Sequence, residues 1–314
     1  ALSTDAISSL ATSQIAALTA DQVGGLNTSQ AEALTPAQIA KLSATQLAAF
    51  SAEDLATFST TDIAAINTSA LRGLTPEMLS TLSPEQIGAF TPSQITSLRP
   101  VQVAALTNTQ IGALGTTQIQ AFSSTQIGAL STTQLSAFSD GQFAAINMRA
   151  IPGLTVEQIA SLGTSRITAL NASQTSALSS RQLGALTQDA LAALSPSQIS
   201  SLNVRAVSGL TVAQIGMLSP SQTSGLTATQ LTALSRTQVA ALTQEQLAGF
   251  TPAQIRGLSA TQVGALSTEA VASFTPQQIE AITPKSIVGL TNQQIAVLGT
   301  GQIAALVPAQ VTAL

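Results

Sequence analysis

The side chains that could do chemistry in this 314-residue sequence are hydroxyls, amides and a few carboxylates. There is no His and no Cys, so the chain offers no imidazole base, no thiol nucleophile and none of the usual ligands for zinc or haem. The 14 Asp and Glu residues are scattered along the sequence rather than paired. We therefore predict that the protein is not an enzyme, that it has no catalytic, cofactor-binding or metal-binding residues, and that it needs no cofactor.

Charge is equally sparse. Only 8% of the residues are charged and the net charge is −4, whereas an average protein has about 25% charged residues. There is no basic run, and aromatic residues make up 3% of the chain, so few side chains could stack on bases. We expect no nucleic-acid partner. No run of about 20 apolar residues occurs, so we also expect no membrane span.

The elements that must position these side chains come from an eight-residue repeat. In steps of eight from Leu2 to Leu314, all forty positions are Leu, Phe or Ile. Residues 3–314 therefore form 39 octads, numbered here from octad 1 (residues 3–10), with slots one to eight in each. The frame never shifts. The sequence predicts one continuous repeat array over residues 3–314, without separate domains.

The slots of each octad read as the start of a helix. Slot one is Ser, Thr or Asn in 33 of 39 octads, slot two holds 11 of the 12 prolines, and slot four is Gln in 28 of 39. In octad 5, Thr35 is placed as an N-cap and Pro36 follows at the first helical position, where its missing N–H costs nothing. Gln38 can reach back to the N–H of Thr35 and complete a capping box.

The acidic residues support helices independently. Twelve of the fourteen lie in slots two to four, the first turn, where the helix dipole favours negative charge. One continuous helix is excluded, because eight residues advance a helix by about 800° and would rotate the apolar pair from octad to octad. A β-solenoid is the competing interpretation, but the two large apolar slots are three and five residues apart and would face opposite sides of a strand. We predict an all-α solenoid of 39 short capped helices, one per octad.

Helices this short need neighbours, since helix nucleation is unfavourable. Slots five and eight would form the core ladder, and the small residues in slots six and seven would let backbones approach. Thr175 and Thr223 replace an aliphatic residue in slot five and are expected to be weak points. Gly73, Gly153, Gly209 and Gly289 recur at intervals of 80, 56 and 80 residues. Apart from simple duplication, this spacing suggests a superhelix with eight or nine octads per turn.

The motif Ser-Ser-Thr-Gln-Ile-Gly-Ala-Leu at residues 123–130 resembles the repetitive arrays of very large bacterial surface or secreted proteins of the haemagglutinin-like and adhesin types. The resemblance extends over the whole chain. It implies an extracellular or cell-surface location. The haem association of some of these proteins is not expected here, because His, Cys and Tyr are all absent.

Two functions from different classes fit these observations. The first is an extracellular structural element that forms or contributes to a filament, sheath or surface stalk through lateral or end-to-end self-association. Leu2 and Leu314 both occupy core slots, and we expect the array either to continue beyond them or to join other copies there. The alternative is an adhesin or binding module whose Ser/Thr/Gln-rich surface contacts glycans or other cells.

Overall fold

The computed structural model describes residues 2–314, which fall into two compact units, residues 2–154 (unit 1) and Thr155–Leu314 (unit 2). Each unit is an all-α solenoid with one short helix per octad. No residue between 2 and 314 lies in a β-strand. The prediction of an all-α solenoid is confirmed, and the β-solenoid alternative is wrong. Two octads, 9 and 19, form 3-10 helices in place of the expected α-helices.

The helices of unit 1 are α1 Thr4–Ser9, α2 Thr12–Ala17, α3 Ala20–Gly24, α4 Thr28–Glu32, α5 Pro36–Ile39, α6 Ala44–Leu47, α7 Ala52–Ala56, α8 Thr60–Ala65, the 3-10 helix η1 Ala70–Gly73, α9 Pro76–Thr81, α10 Pro84–Gly88, α11 Pro92–Ser97, α12 Pro100–Ala104, α13 Asn108–Ala113, α14 Thr116–Gln120, α15 Ser124–Ala129, α16 Thr132–Ser136, α17 Asp140–Ala144 and the 3-10 helix η2 Ile151–Gly153.

The helices of unit 2 are α18 Val156–Ala160, α19 Thr164–Thr168, α20 Ala172–Ser176, α21 Ser180–Gly184, α22 Gln188–Ala192, α23 Pro196–Ser201, α24 Val204–Val207, α25 Val212–Met217, α26 Pro220–Ser224, α27 Ala228–Thr232, α28 Arg236–Ala240, α29 Gln244–Ala248, α30 Pro252–Arg256, α31 Ala260–Val263, α32 Thr268–Ala272, α33 Pro276–Ala281, α34 Pro284–Ile287, α35 Asn292–Ala296, α36 Thr300–Ala304 and α37 Pro308–Ala313.

The predicted caps begin these helices. Thr91 is extended, with φ −70° and ψ 158°, and its hydroxyl accepts a hydrogen bond from the backbone N–H of Gln94 at 3.2 Å. The Gln94 side-chain oxygen accepts in turn from the Thr91 N–H at 2.7 Å. Pro92 occupies the first helical position. The helix ends at Leu98, whose ψ of 139° returns the chain to the extended conformation for the next cap. Each octad therefore contains both a helix start and a helix stop.

Both 3-10 octads begin with an Asx turn. Asn67 and Asn147 accept through Oδ1 from the backbone N–H two residues ahead, at Ser69 and Arg149, both at 2.9 Å. The Asx turn alone does not produce the 3-10 form, because Asn203 makes the same turn and begins the α-helix α24.

Octads three apart in the sequence pack side by side. η1 packs on α6, and a Cβ atom built on Gly73 would lie 2.0 Å from the carbonyl oxygen of Ala44. The same approach recurs between Gly209 and Ser180 in unit 2, at 2.1 Å. The expectation that small residues in slot seven allow close backbone contact is confirmed. The neighbour is the octad three places away.

Octads four apart are joined by hydrogen bonds. The Gln94 side-chain nitrogen of octad 12 donates to the carbonyl oxygens of Ile63 and Ile66 in octad 8. Because neighbours in adjacent turns are three and four octads apart, one superhelical turn within each unit takes between three and four octads. The prediction of eight or nine octads per turn is wrong. The glycines from which it was inferred mark variant octads, and a sharp bend after every short helix closes the turn much sooner.

The core follows the predicted ladder. Slot-five side chains such as Ile63 and slot-eight side chains such as Phe90 are buried. Thr175 and Thr223 are fully buried in slot five, and their hydroxyls donate to carbonyl oxygens of their own octads, with Thr175 Oγ1 2.9 Å from Asn171 O. Both hydroxyls are therefore satisfied, and the proposal that they weaken the core stays a prediction.

Candidate functional site

The most regular polar element of the structure is the slot-four glutamine, which uses both ends of its amide. In octad 13, Gln102 Oε1 accepts from the backbone N–H of Arg99 at 2.8 Å. Its Nε2 donates to the carbonyl oxygens of Leu71 and Leu74, at 2.8 and 2.7 Å. One side chain thus caps its own helix and binds the octad four places earlier. We call this repeated arrangement the glutamine ladder.

The ladder recurs through both units with the same register. Nε2 reaches the slot-five carbonyl 31 residues earlier, the slot-eight carbonyl 28 residues earlier, or both. Its members in unit 1 include Gln38, Gln46, Gln86, Gln94, Gln102, Gln110, Gln118, Gln126, Gln134 and Gln142. Those in unit 2 include Gln198, Gln214, Gln222, Gln230, Gln238, Gln246, Gln254, Gln262, Gln278, Gln294, Gln302 and Gln310.

These amides lie inside the protein. Gln102 and Gln310 are 0% exposed and Gln94 is 1% exposed. Burying a primary amide is favourable only when its donors and acceptors are paired, and an unpaired backbone carbonyl costs a comparable amount. Gln satisfies the cap N–H and the slot-eight carbonyl at once. The ladder therefore fixes the register between successive superhelical turns through directional bonds, in addition to apolar packing.

Half of this role was predictable. The capping box requires only an acceptor oxygen, which Glu supplies as well as Gln. Slot four contains 28 Gln and no Glu. That bias signals a requirement for the side-chain N–H₂ group, because a carboxylate cannot donate. The sequence alone could not identify the acceptors, since they lie 28 and 31 residues earlier and depend on the number of octads per turn.

Pairs of hydrogen-bonded hydroxyls lie on the outer surface of many octads. Ser131 Oγ lies 2.8 Å from Thr133 Oγ1, which joins slots one and three of octad 17. Both residues are exposed. The slot-one hydroxyl also caps its helix, so the slot-three hydroxyl, which makes only the bond within the pair, keeps more of its hydrogen-bonding capacity for an external partner. The same pairing occurs at Ser43 and Thr45, Ser123 and Thr125, Ser195 and Ser197, Ser219 and Ser221, Thr227 and Thr229, Ser235 and Thr237, and Ser259 and Thr261.

Exposed slot-three glutamates sit in the first turn of their helices. The backbone N–H of Glu77, and then the hydroxyl of Thr75, lower the pKa of the Glu77 carboxyl below its ordinary value. The backbone N–H of Glu85 and the hydroxyl of Ser83 lower the pKa of Glu85 in the same way. Glu157 and Glu269 follow the pattern, each with a lowered pKa caused first by its own backbone N–H. These shifts follow from helix geometry.

No cluster of three or more metal-binding side chains forms among residues 2–314. Within the same residues, no helix is both long and apolar enough to cross a bilayer. Several surface depressions are open grooves. The groove lined by Arg236, Ala260, Thr261, Gly264, Gly289 and Thr291 has a volume of about 280 Å³. The sequence predicts no catalytic, cofactor-binding or metal-binding residues, and this remains a prediction.

Two segments of the chain are similar to a known repeat family. The family model described as the ALTTAQ repeat matches this chain twice, at residues 111–147 and 239–276. The first match lies in unit 1 and the second in unit 2. No curated protein matches the chain. The chain is thus a repeat protein that is similar to the ALTTAQ repeat over these two segments.

Proposed function

We propose that this protein is an extracellular structural element that forms or contributes to a filament, sheath or surface stalk. The glutamine ladder carries this proposal. A spacer must resist bending and slippage between turns, and directional bonds such as Gln126 Nε2 to Leu98 O, at 2.8 Å, oppose both. Apolar packing alone is non-directional and would leave the register less restrained. The regular ladder suits a protein whose function is to hold a length and a surface.

Self-association is the second part of the proposal. The outward face repeats the same small and hydroxylated side chains octad after octad, with slot-three residues such as Thr125 and Thr133 exposed. A surface that repeats along an axis can pair with another copy at many registers, and contacts that do not close into a ring produce fibres. The resemblance to bacterial surface repeats supports an extracellular location, and the absence of Cys is compatible with it.

Electron microscopy of the native and the purified protein tests this function. Regular filaments, sheets or bundles of rods would support it. We call the side-chain bonds of one slot-four Gln a rung of the glutamine ladder. A double variant, Gln126→Ala with Gln134→Ala, removes two consecutive rungs and should shorten or disorder these assemblies. Gln188→Ala, at an exposed slot-two position, should leave them unchanged. Native material that contains only separate monomers at all concentrations would contradict the structural role.

The hydroxyl pairs favour a second candidate, an adhesin or binding module. Neighbouring exposed hydroxyls such as Ser259 and Thr261, 3.1 Å apart, could share hydrogen bonds with a glycan. Screening against glycan arrays tests this candidate. Replacement of several slot-three threonines by Val should abolish binding without disturbing the slot-one caps. Binding that survives this replacement, or no binding to any glycan, would contradict the adhesin candidate and leave the structural function as the remaining one.

A further inference from the structure

One stretch of the chain lacks the glutamine ladder for four consecutive octads. Slot four is Asp54, Asp62, Ala70 and Met78 in octads 7 to 10. We call residues 51–82 the ladder gap. Other exceptions are isolated. Ala150, Arg166, Ala190, Ala206, Ala270 and Ser286 each have a slot-four Gln in the octads on both sides, and Ala6 in octad 1 has one in octad 2.

The length of the gap matters because a turn takes at most four octads. Four consecutive octads without Gln remove every side-chain amide bridge between octads 3–6 and octads 7–10. The slot-eight carbonyls of Leu26, Leu34, Leu42 and Phe50 are the acceptors that these bridges would have reached by the ladder register. Among residues 2–314, no side chain donates to them. The bridges resume at Gln86, which donates to Phe58 O at 2.8 Å.

The two aspartates of the gap keep only one of the two roles of the slot-four side chain. Asp54 and Asp62 keep the cap, because Oδ2 accepts from the backbone N–H of Ser51 at 3.0 Å and of Ser59 at 2.9 Å. Both are buried, at 6% and 8% exposure. A carboxylate offers only acceptors, so it cannot bridge to the carbonyl oxygens that occupy this register. The cap function of slot four is thus retained in octads 7 and 8, whereas its bridging function is lost.

Aromatic packing and close backbone contact hold the two sides of the gap together. Phe50 and Phe58 form an edge-to-face pair with ring centroids 5.4 Å apart, and Gly73 packs on Ala44. These contacts keep the turn closed at rest. Buried hydrogen bonds between turns, which set the register elsewhere, are missing.

We propose that unit 1 contains a built-in opening point at the ladder gap, where octads 3–6 separate from octads 7–10 before any other pair of turns in this unit opens. Local opening free energies differ along a protein according to the buried contacts and hydrogen bonds that each region must break. A solenoid with nearest-neighbour stability opens where the interface term is smallest. The gap supplies a defined place for extension or strain relief. This inference rests on the ladder and is independent of the proposed extracellular function.

Hydrogen exchange of the full chain, measured by mass spectrometry, tests the proposal. In the unmodified protein, backbone amides of residues 51–82 should exchange faster than those of residues 91–138. The double variant Asp54→Gln with Asp62→Gln should restore two rungs, to the octads of Leu26 and Leu34, and slow exchange in residues 51–66 by about tenfold.

Two control variants separate bridging from charge removal. Asp54→Ala with Asp62→Ala removes the buried carboxylates without adding donors, and it also leaves the cap N–H groups of Ser51 and Ser59 without their acceptors, so it should speed exchange rather than slow it. Gln126→Ala with Gln134→Ala should speed exchange in octads 16 and 17, which would confirm that missing rungs cause local opening. Uniform exchange across unit 1 in the unmodified protein, or equal protection from the Ala and Gln pairs, would overturn the proposal.

Discussion

Gln110 donates its side-chain amide to the carbonyl oxygen of Leu82, which lies 2.7 Å away and 28 residues earlier in the chain. The same side chain accepts from the backbone N–H of Thr107 at 2.8 Å. This pair of bonds shows how an octapeptide too short for a stable isolated helix becomes part of a solid fold. The bond to Thr107 caps the helix of the same octad, and the bond to Leu82 joins that octad to the previous superhelical turn.

Removal of one slot-four Gln should lower the free energy of unfolding by more than is usual for a polar side chain. Gln110→Ala leaves the buried carbonyl of Leu82 without its donor and the Thr107 N–H without its acceptor. We expect a loss of about 2–3 kcal/mol in the free energy of unfolding, measured by urea denaturation. Gln110→Glu keeps the cap acceptor but cannot donate, so it should also destabilise. Gln188→Ala, on the surface, is the matched control. An unchanged midpoint for both Gln110 variants would show that the rung carries no stability.

The glycines of the variant octads should tolerate no side chain. In Gly73→Ala, the new Cβ would meet the carbonyl oxygen of Ala44 at 2.0 Å, so the backbones of η1 and α6 must separate. We expect a loss of about 3 kcal/mol in the free energy of unfolding. No residue of the described chain has a positive φ, so the expected destabilisation comes from the steric contact and not from the backbone conformation of the glycine.

Gly112 provides the control for that substitution, because a Cβ there would meet nothing within 4 Å. Gly112 lies inside α13, and Gly112→Ala should stabilise the protein by about 0.5–1 kcal/mol through the higher helix propensity of Ala. Thermal denaturation of the two variants side by side gives the comparison. Equal effects at the two glycines would contradict the close approach at Gly73.

The buried threonines should respond to loss of the hydroxyl. Thr223 is 0% exposed, and its Oγ1 donates to Pro220 O at 3.0 Å. Thr223→Val has nearly the same shape, leaves no side-chain polar group to bury, and should stabilise the protein by up to about 1 kcal/mol. Thr232→Val, at an exposed position, should change the free energy of unfolding by less than about 0.5 kcal/mol. Clear destabilisation by Thr223→Val would indicate that the hydroxyl bond itself is needed.

The first-turn glutamates give a pH dependence with a definite sign. The pKa values of Glu77 and Glu85 are lowered in the folded protein. A lowered folded pKa stabilises the fold above the unfolded pKa of about 4.3, and that contribution disappears as pH falls through the folded pKa. The melting temperature of Glu77→Gln with Glu85→Gln should therefore be below that of the unmodified protein at pH 7, and the difference should shrink below about pH 4. A difference that grows on acidification would contradict this sign.

The sequence predicts the local structure of this protein well because its signals are local. The Thr91 cap, Pro92 at the first helical position and Leu98 at the helix end all lie within one octad, so each helix could be placed from eight residues. The identity of the core slots also follows from this spacing. The octad pattern does not predict the two 3-10 helices, and the Asx turn at Asn67 is not sufficient to explain them, because Asn203 makes the same turn before an α-helix.

The number of octads per turn could not be read from the sequence. It depends on the angle between consecutive helices, which small differences in the backbone around residues such as Leu98 determine. The spacing of Gly73 and Gly153 gave the wrong period because these glycines report where backbones touch, and a contact can recur after several turns. The acceptor carbonyls of the glutamine ladder were missed for the same reason.

A designed disulfide tests the turn of three to four octads most directly. A Cβ built on Gly24 lies 3.7 Å from the Cβ of Ala49, three octads later, which suits a disulfide. The chain has no native Cys, so the introduced pair has no competitor. Gly24→Cys with Ala49→Cys should oxidise rapidly to an intramolecular disulfide, whereas Gly24→Cys with Ala89→Cys, eight octads apart, should not. Rapid closure of the second pair, with none in the first, would contradict the architecture.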